Sequence, residues 1–316
     1  MSSVNGSNNP FYRRRMAGEV WYPGSRIAKG ITRVFILDWR DHPGKSQEWY
    51  DLRRKKWIDE GMLHIFAQEV DRDYSGSVER IIIPQAWVLA AVDAHKALGI
   101  AADGEKIAAQ DVADGGSDKN ALAIRHGVVL KFAEHWGGEA GDAAQIAIPH
   151  CAQYQAQELY YDSIGVGAGF KTQINTMRQQ KSFPVRLRVL PWNAGEGPLD
   201  PTDHIIPEDM QSPTNEDQYL NLKAQAWFRL RTRFYKTFRA IRHKEIFPHE
   251  ELISLDSTIP RLHELKMQLS QATHTANAKG KTIVDKQPDG SISPNLADSV
   301  VMAYSPTREV SIFDVI

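Results

Sequence analysis

Ile107-Ala108-Ala109-Gln110-Asp111-Val112-Ala113-Asp114-Gly115-Gly116 is a short apolar run that ends in an acid and opens into glycine. Leu159-Tyr160-Tyr161-Asp162-Ser163-Ile164-Gly165-Val166-Gly167 repeats that grammar further along the chain. An apolar run followed by a tight glycine-bearing turn reads as a strand leaving its sheet, so each acid is placed at a strand's carboxyl end. Residues 107–112, 121–125 and 128–135 read as three consecutive strands joined by short turns, hence antiparallel neighbours. A helix over 141–154 then leads into the strand 158–162, and a helix over 170–180 into a strand over 185–190. Hairpin-type strands followed by βα units predict an α/β fold: a mixed five-stranded sheet with helices on both faces. Ligands of open α/β sheets sit outside the carboxyl ends of strands, where both acids are expected.

A third acid, Asp298, falls in the first turn of a short apolar helix, Pro294-Asn295-Leu296-Ala297-Asp298-Ser299-Val300-Val301-Met302. Carboxylates are hard oxygen ligands, and a few of them suffice for Mg²⁺ or Mn²⁺, which keep part of their water. Three acids from distant segments that converge are suited to a pair of such ions clamping a phosphodiester. The residues therefore point to a metal-dependent nuclease. Taken singly, each acid is also an ordinary turn-former. Asp114 and Asp118 have the same double reading, with Asp114 the stronger candidate for supporting Asp111.

Composition narrows the classes. The chain has 316 residues, enough for one large domain or two, with 42% apolar and 24% charged residues as in ordinary globular proteins. A net charge of −1 means that any nucleic-acid affinity must come from a local basic patch. The single Cys151 excludes an internal disulfide framework. The longest apolar stretch, around 86–92, is far short of a membrane span, and the first residues lack a signal-peptide core, so a soluble intracellular protein is expected. The 11 histidines show no metal-ligand spacing. His42-Pro43-Gly44-Lys45-Ser46 is not a phosphate-binding loop, because Trp39 stands where the first glycine belongs. It reads instead as a turn capped by Ser46 before a helix that runs to about Gly61.

Outside the central segment, residues 1–30 are polar, with one basic triplet, Arg13-Arg14-Arg15. Strands are expected at 34–37 and 63–69, a helix over 85–98, and a domain boundary near 99–104. Residues 195–215 read as a surface loop. The longest helix follows, from Leu220 to about His243, with Trp227, Leu230, Phe234, Phe238 and Ile241 forming its buried stripe. Its other positions carry Lys223, Arg229, Arg231, Arg233, Lys236, Arg239 and Arg242 without an intervening acid. Two readings stay open for this face: solvated, or a grip on a nucleic-acid backbone through Arg229, Arg233 and Lys236. A helix over 261–273 precedes a hairpin with strands at 281–284 and around Ser291 and a turn at Gln287-Pro288-Asp289-Gly290.

With these residues in hand, the chain resembles the nuclease domain of the large terminase subunits of tailed bacteriophages over about residues 100–306. The motifs that carry the resemblance, in the family's order, are Asp111-Val-Ala-Asp114-Gly-Gly-Ser-Asp118, then Tyr161-Asp162-Ser-Ile-Gly-Val-Gly-Ala-Gly169, then Ser293-Pro-Asn-Leu-Ala-Asp298. The resemblance implies a ribonuclease H-like fold and endonucleolytic cutting of concatemeric double-stranded viral DNA during genome packaging. It places the metal-binding acids of a two-ion Mg²⁺ or Mn²⁺ site on Asp111, Asp162 and Asp298. A family lysine in the hairpin before the last acid falls on Lys286, or on Lys281. The partners it implies are double-stranded DNA, a small terminase subunit, the capsid portal and further copies of the chain, in the cytoplasm of an infected bacterium, with no membrane. Asn5 to Trp49 is similar to the text that ends the family's ATPase motor and leads to the nuclease. Residues 1–100 are thus expected to be the tail of an ATPase domain and a linker, and 101–316 the nuclease domain. The Walker motifs are absent, so no ATPase activity is expected of this chain. Two rival readings remain: a resolvase- or transposase-like ribonuclease H relative, and a non-catalytic module that grips DNA or docks on a capsid.

Overall fold

Six strands, one more than the sequence predicts, form the central sheet of the computed structural model. The structure describes residues 14–15, 17–60, 66, 69–71, 81–113, 115, 118–165, 167–184, 186–207, 209–286 and 293–305. In chain order the sheet is built from β3 (Lys106–Asp111), β4 (Asn120–His126), β5 (Val129–Trp136), β6 (Glu158–Asp162), β7 (Arg188–Trp192) and β8 (Ser254–Leu255). They lie side by side as β7-β6-β3-β4-β5-β8. β3, β4 and β5 pair antiparallel, whereas β6 and β7 run parallel to β3, and β8 runs parallel to β5. The ribonuclease H-like mixed α/β architecture is therefore the one the sequence predicts. The extra strand is two residues long, too short to show a period. β7 begins at Arg188 rather than at 185, and its Pro191 is tolerated because β7 is a sheet edge.

Alternation along the strands sorts the two faces. Ala108 of β3, Leu122 and Ile124 of β4, and Leu159 and Tyr161 of β6 pack beneath α4 (Ala140–Tyr154) and α5 (Gly167–Gln179). Ile107 and Ala109 of β3, and Tyr160 of β6, point the other way, into the larger core with α7 (Leu222–His243) and α9 (Asn295–Ala303). Helix α9 lies across β3, β4 and β5. Two-residue periodicity puts Asp111 on the face of Ala109, and Asp162 on the face of Tyr160. Both acids thus emerge on the side covered by α9.

From Trp39 to Ala91, described residues pack onto that same core. Ser46 caps α1 (Gln47–Asp59), as expected, by accepting from the Trp49 amide at 3.2 Å. Trp57 and Phe66 are fully buried beside Ile82, Val88 and Trp39. Of the strand expected at 34–37 only Val34 is paired: β2 (Arg33–Val34) runs parallel to β1 (Glu19–Val20). The strand expected at 63–69 falls mostly outside the described residues, and Phe66 and Glu69 are helical. The helix expected over 85–98 is two helices, α2 (Gln85–Ala90) and α3 (Ala94–Leu98). Between them the edge of the sheet captures the backbone. The Asp93 amide donates to the Leu255 carbonyl at 2.8 Å, the Leu255 amide donates to the Ala91 carbonyl at 2.9 Å, and Asp93 turns to φ +52°.

The hairpin near the carboxyl end also departs from expectation. Its strands are β9 (Thr273–Ala276) and β10 (Thr282–Asp285), with the turn at Asn277–Lys281. The Asn277 Oδ1 accepts from the amides of Lys279 and Lys281, each at 2.9 Å, and so closes that turn locally. The predicted turn at Gln287–Gly290 and the strand around Ser291 lie outside the described residues. Between the end of α7 and β8 runs a short 3-10 turn, and α8 (Leu262–Gln271) precedes the hairpin; α6 (Asn215–Gln218) interrupts the loop before α7.

Candidate active site

Ile107 of β3 stands opposite Glu158 of β6, and the register continues to Gln110 opposite Tyr161. The next position in that register sets Asp111 beside Asp162, on adjacent parallel strands whose spacing is about 4.8 Å. Asp298 comes down onto them from the first turn of α9, where a carboxylate is favoured by the helix dipole. Lys286 follows β10, and Lys223 stands in the first turn of α7. Asp111, Asp162, Asp298, Lys223 and Lys286 line one pocket, walled on its apolar side by Trp192, Ala194, Val301 and Met302.

Local hydrogen bonds hold each acid in place. The Asp162 Oδ1 accepts from the Ile164 amide at 3.0 Å, which starts the turn out of β6. Gly167 completes that turn, because a Cβ there would stand 2.5 Å from the Asp162 carbonyl oxygen. The glycine at 167 is therefore explained by chain geometry. After Asp111, the buried Asn120 ties the loop down. Its Oδ1 accepts from the Ala113 amide at 2.8 Å, and its Nδ2 donates to the Gly138 carbonyl at 3.0 Å. Asn120 escaped the sequence reading, although an Asn opening the apolar run Ala121-Leu122-Ala123-Ile124 was the available signal. The Asp114 expected to support Asp111 lies outside the described residues.

The electrostatics of the pocket are strained. Burial, and then the neighbouring charges of Asp298 and Asp162, raise the Asp111 carboxyl well above the ordinary carboxylate range despite Lys286. Burial raises Asp162 as well, with Asp298 adding to it. Lys286 is ion-paired with Asp298. Burial works against that ammonium, but Asp298 and Asp111 outweigh it and raise its pKa. Among the described residues no three acidic, histidine or cysteine side chains are grouped to hold a single metal ion. The arrangement is instead a row of mutually repelling carboxylates, one of them turned to a lysine. Lys281, the alternative to Lys286, sits in the hairpin turn and does not line the pocket.

The structure does not bring Arg229, Arg233 and Lys236 together as an open basic face. Lys236 is buried, and its ammonium is shared between Glu60 at 3.1 Å and Glu251 at 2.8 Å. Arg233 donates to the carbonyls of Glu250 and Leu252 and stacks near Tyr304. Arg229 alone of the three is exposed, 3.9 Å from Asp200. The like-signed run on α7 is thus largely consumed by acceptors that arrive from distant segments. Lys223, which the sequence shows only as one more member of that run, is the one that reaches the pocket. Lys45 lies over the Trp49 ring, in the turn capped by Ser46, as the rejection of a phosphate-binding loop requires.

No family model and no curated protein matches the chain. Among solved structures it is similar to the nuclease domain of the large terminase subunit gp2 of bacterial virus Sf6. The identity is 30% and the TM-score 0.64, over 72% of this chain and 99% of that one. A lysine-to-alanine mutant of that domain matches over the same extents, at TM-score 0.64 with manganese and beta-thujaplicinol bound and 0.63 with calcium.

Proposed function

The chain belongs to the family of phage large terminase nuclease domains, and from that premise we propose that it is a two-metal endonuclease for double-stranded viral DNA. The single observation that carries this reading is the side-by-side register of Asp111 and Asp162 beneath Asp298. Three carboxylates raised or crowded by one another fit divalent cations, because a cation removes the repulsion that burial and proximity impose. Two ions are the number that the family resemblance implies, and Asp111 feels the charge of both Asp298 and Asp162. Mg²⁺ or Mn²⁺ bound there supply charge neutralisation and an activated water for in-line displacement at phosphorus.

The residues of the chain then divide the work. Asp111, Asp162 and Asp298 would hold the ions, which would supply their chemistry at the end of β3 and β6. Lys286 pairs with Asp298 and orients it. Residues 101–316 are the nuclease domain, and residues 1–100 the tail of an ATPase domain and a linker, parts of which pack on the nuclease core. The setting is genome packaging, with the small terminase subunit, the capsid portal and further copies of the chain as partners. Supercoiled plasmid incubated with Mn²⁺ or Mg²⁺ is expected to be nicked and linearised, and to survive in a chelator. A pure chain that neither cuts under either ion nor gains thermal stability from Mn²⁺ would exclude this reading and favour a docking module.

Duplex contacts outside the pocket are expected to be few on α7. Replacing Arg229 by glutamine lowers the slope of log affinity against log salt by about one, the loss of one phosphate contact. Lys236→Met leaves the slope untouched and instead costs about 2 kcal/mol of stability, because Glu60 and Glu251 lose their shared ammonium while keeping partial access to water. Salt titrations of duplex binding, run beside thermal melts of both variants, separate the two effects. A slope lowered by Lys236→Met would return that residue to the DNA face.

A further inference from the structure

Two lysines line the pocket, and among the described residues only Lys286 forms an ion pair there. Lys286 is paired with Asp298. Lys223 lines the same pocket but forms no ion pair among the described residues. It also stands where a cation is unwelcome. It is the second residue of α7, whose first turn carries no acid, so the positive end of a 22-residue helix opposes it. Its ammonium lies against that of Lys286, and its side chain is half-buried. Burial and Lys286 outweigh the attraction of Asp298 and Asp111 and lower its pKa.

The backbone at this helix end is already satisfied. The Leu222 amide donates to the Glu196 carbonyl at 2.7 Å and the Lys223 amide to the Ala194 carbonyl at 3.2 Å. The Ala224 amide donates to the Asn221 Oδ1 at 3.0 Å. An anion drawn to this positive end therefore meets the Lys223 side chain rather than free helix amides. Glutamine at this position would fill similar space without the charge. A cation kept against helix dipole, burial and a second lysine is offset when an anion enters beside it.

We propose that Lys223 is the phosphate-binding residue of the pocket: its ammonium holds a non-bridging oxygen of the DNA strand lying over Asp111 and Asp298, while Lys286 remains the internal counter-charge of Asp298. The inference rests on the nuclease reading above and adds to it the residue that seats the substrate.

The test uses the full chain, Lys223→Gln and Lys223→Arg, with a short fluorescent duplex of arbitrary sequence in a chelator, so that binding is read without cutting. Lys223→Gln is expected to weaken binding about fivefold and to lower the salt slope by about one, while Lys223→Arg keeps both near the parent's values. With Mn²⁺ present, the glutamine variant should show its loss mainly in KM. In the chelator it should still melt in one cooperative transition, so that the binding loss belongs to a folded protein. An unchanged slope in Lys223→Gln, an arginine variant no better than glutamine, or a glutamine variant that fails to fold each overturns the assignment. If the parent itself neither binds the duplex nor cuts plasmid with Mn²⁺, the nuclease reading falls and takes this inference with it. If the parent cuts and the slope is unmoved, only the role of Lys223 is lost.

Discussion

Asp111→Asn is expected to slow plasmid cutting by at least about a thousandfold, ~4 kcal/mol of transition-state stabilisation, and to make the metal-free protein more stable. Both effects have one origin. Asp111 closes β3 beside Asp162 and beneath Asp298, and burial together with those charges raises its folded-state pKa. The metal-free fold therefore holds the protonated acid more tightly than the unfolded chain does. The stability this represents is complete below the unfolded carboxylate value, about pH 4, and is lost as pH rises through the higher folded value. Asparagine keeps the shape of the protonated acid and does not titrate. Parent and variant should thus melt alike in acid and diverge towards neutral pH, with the variant higher. Added Mn²⁺ should raise the melting temperature of the parent and do little for the variant. Melts in chelator and in Mn²⁺ between about pH 5 and about pH 8, beside a cleavage assay, read all of this. Cutting at the parent's rate by Asp111→Asn would remove Asp111 from the site. A variant less stable than the parent at neutral pH would mean that the carboxylates do not repel one another.

Trp57→Ala carries the largest expected loss of stability, about 4 kcal/mol. Trp57 is fully buried in α1, packs edge-on against Phe66, and donates from its indole nitrogen to the Asp209 Oδ2 at 3.0 Å. Asp209 also pairs with the buried Arg53 at 3.1 Å. Truncation opens a cavity and leaves part of this polar network short of a donor, and the two costs add. Trp57 belongs to the same hydrophobic cluster as Ala109, Trp227 and Val300, so the segment before residue 100 and the sheet should unfold together. Calorimetry is expected to show one transition displaced to lower temperature. A small early transition followed by a main one at the parent's temperature would show instead that α1 and its neighbours form a separate unit.

The strand ends at Asp111 and Asp162 are legible in the chain because an apolar run, an acid and a glycine turn are all local signals, settled within a few residues. The position of Asp298 in a first helical turn is legible for the same reason, as are the Ser46 cap and the exclusion of a phosphate-binding loop by Trp39. The order of the three acid-bearing motifs was also enough for the family resemblance, and so for the ribonuclease H-like fold.

Partnership was not legible. The sequence shows α7 as an amphipathic helix with a basic face, but Lys236 meets Glu60 and Glu251, Arg233 meets the carbonyls of residues 250 and 252, and Lys223 meets the pocket. The helix expected over 85–98 is broken by a two-residue strand that comes from position 254. The strand β10 falls where the sequence places one, but its described partner is β9, which precedes it. A backbone conformation or a cap, by contrast, depends on residues a few positions away, which the chain itself determines. Which carboxylate a lysine meets, or which strand edge captures a helix, depends on segments more than a hundred residues apart in several of these contacts, and only the packed tertiary structure brings them within hydrogen-bonding range.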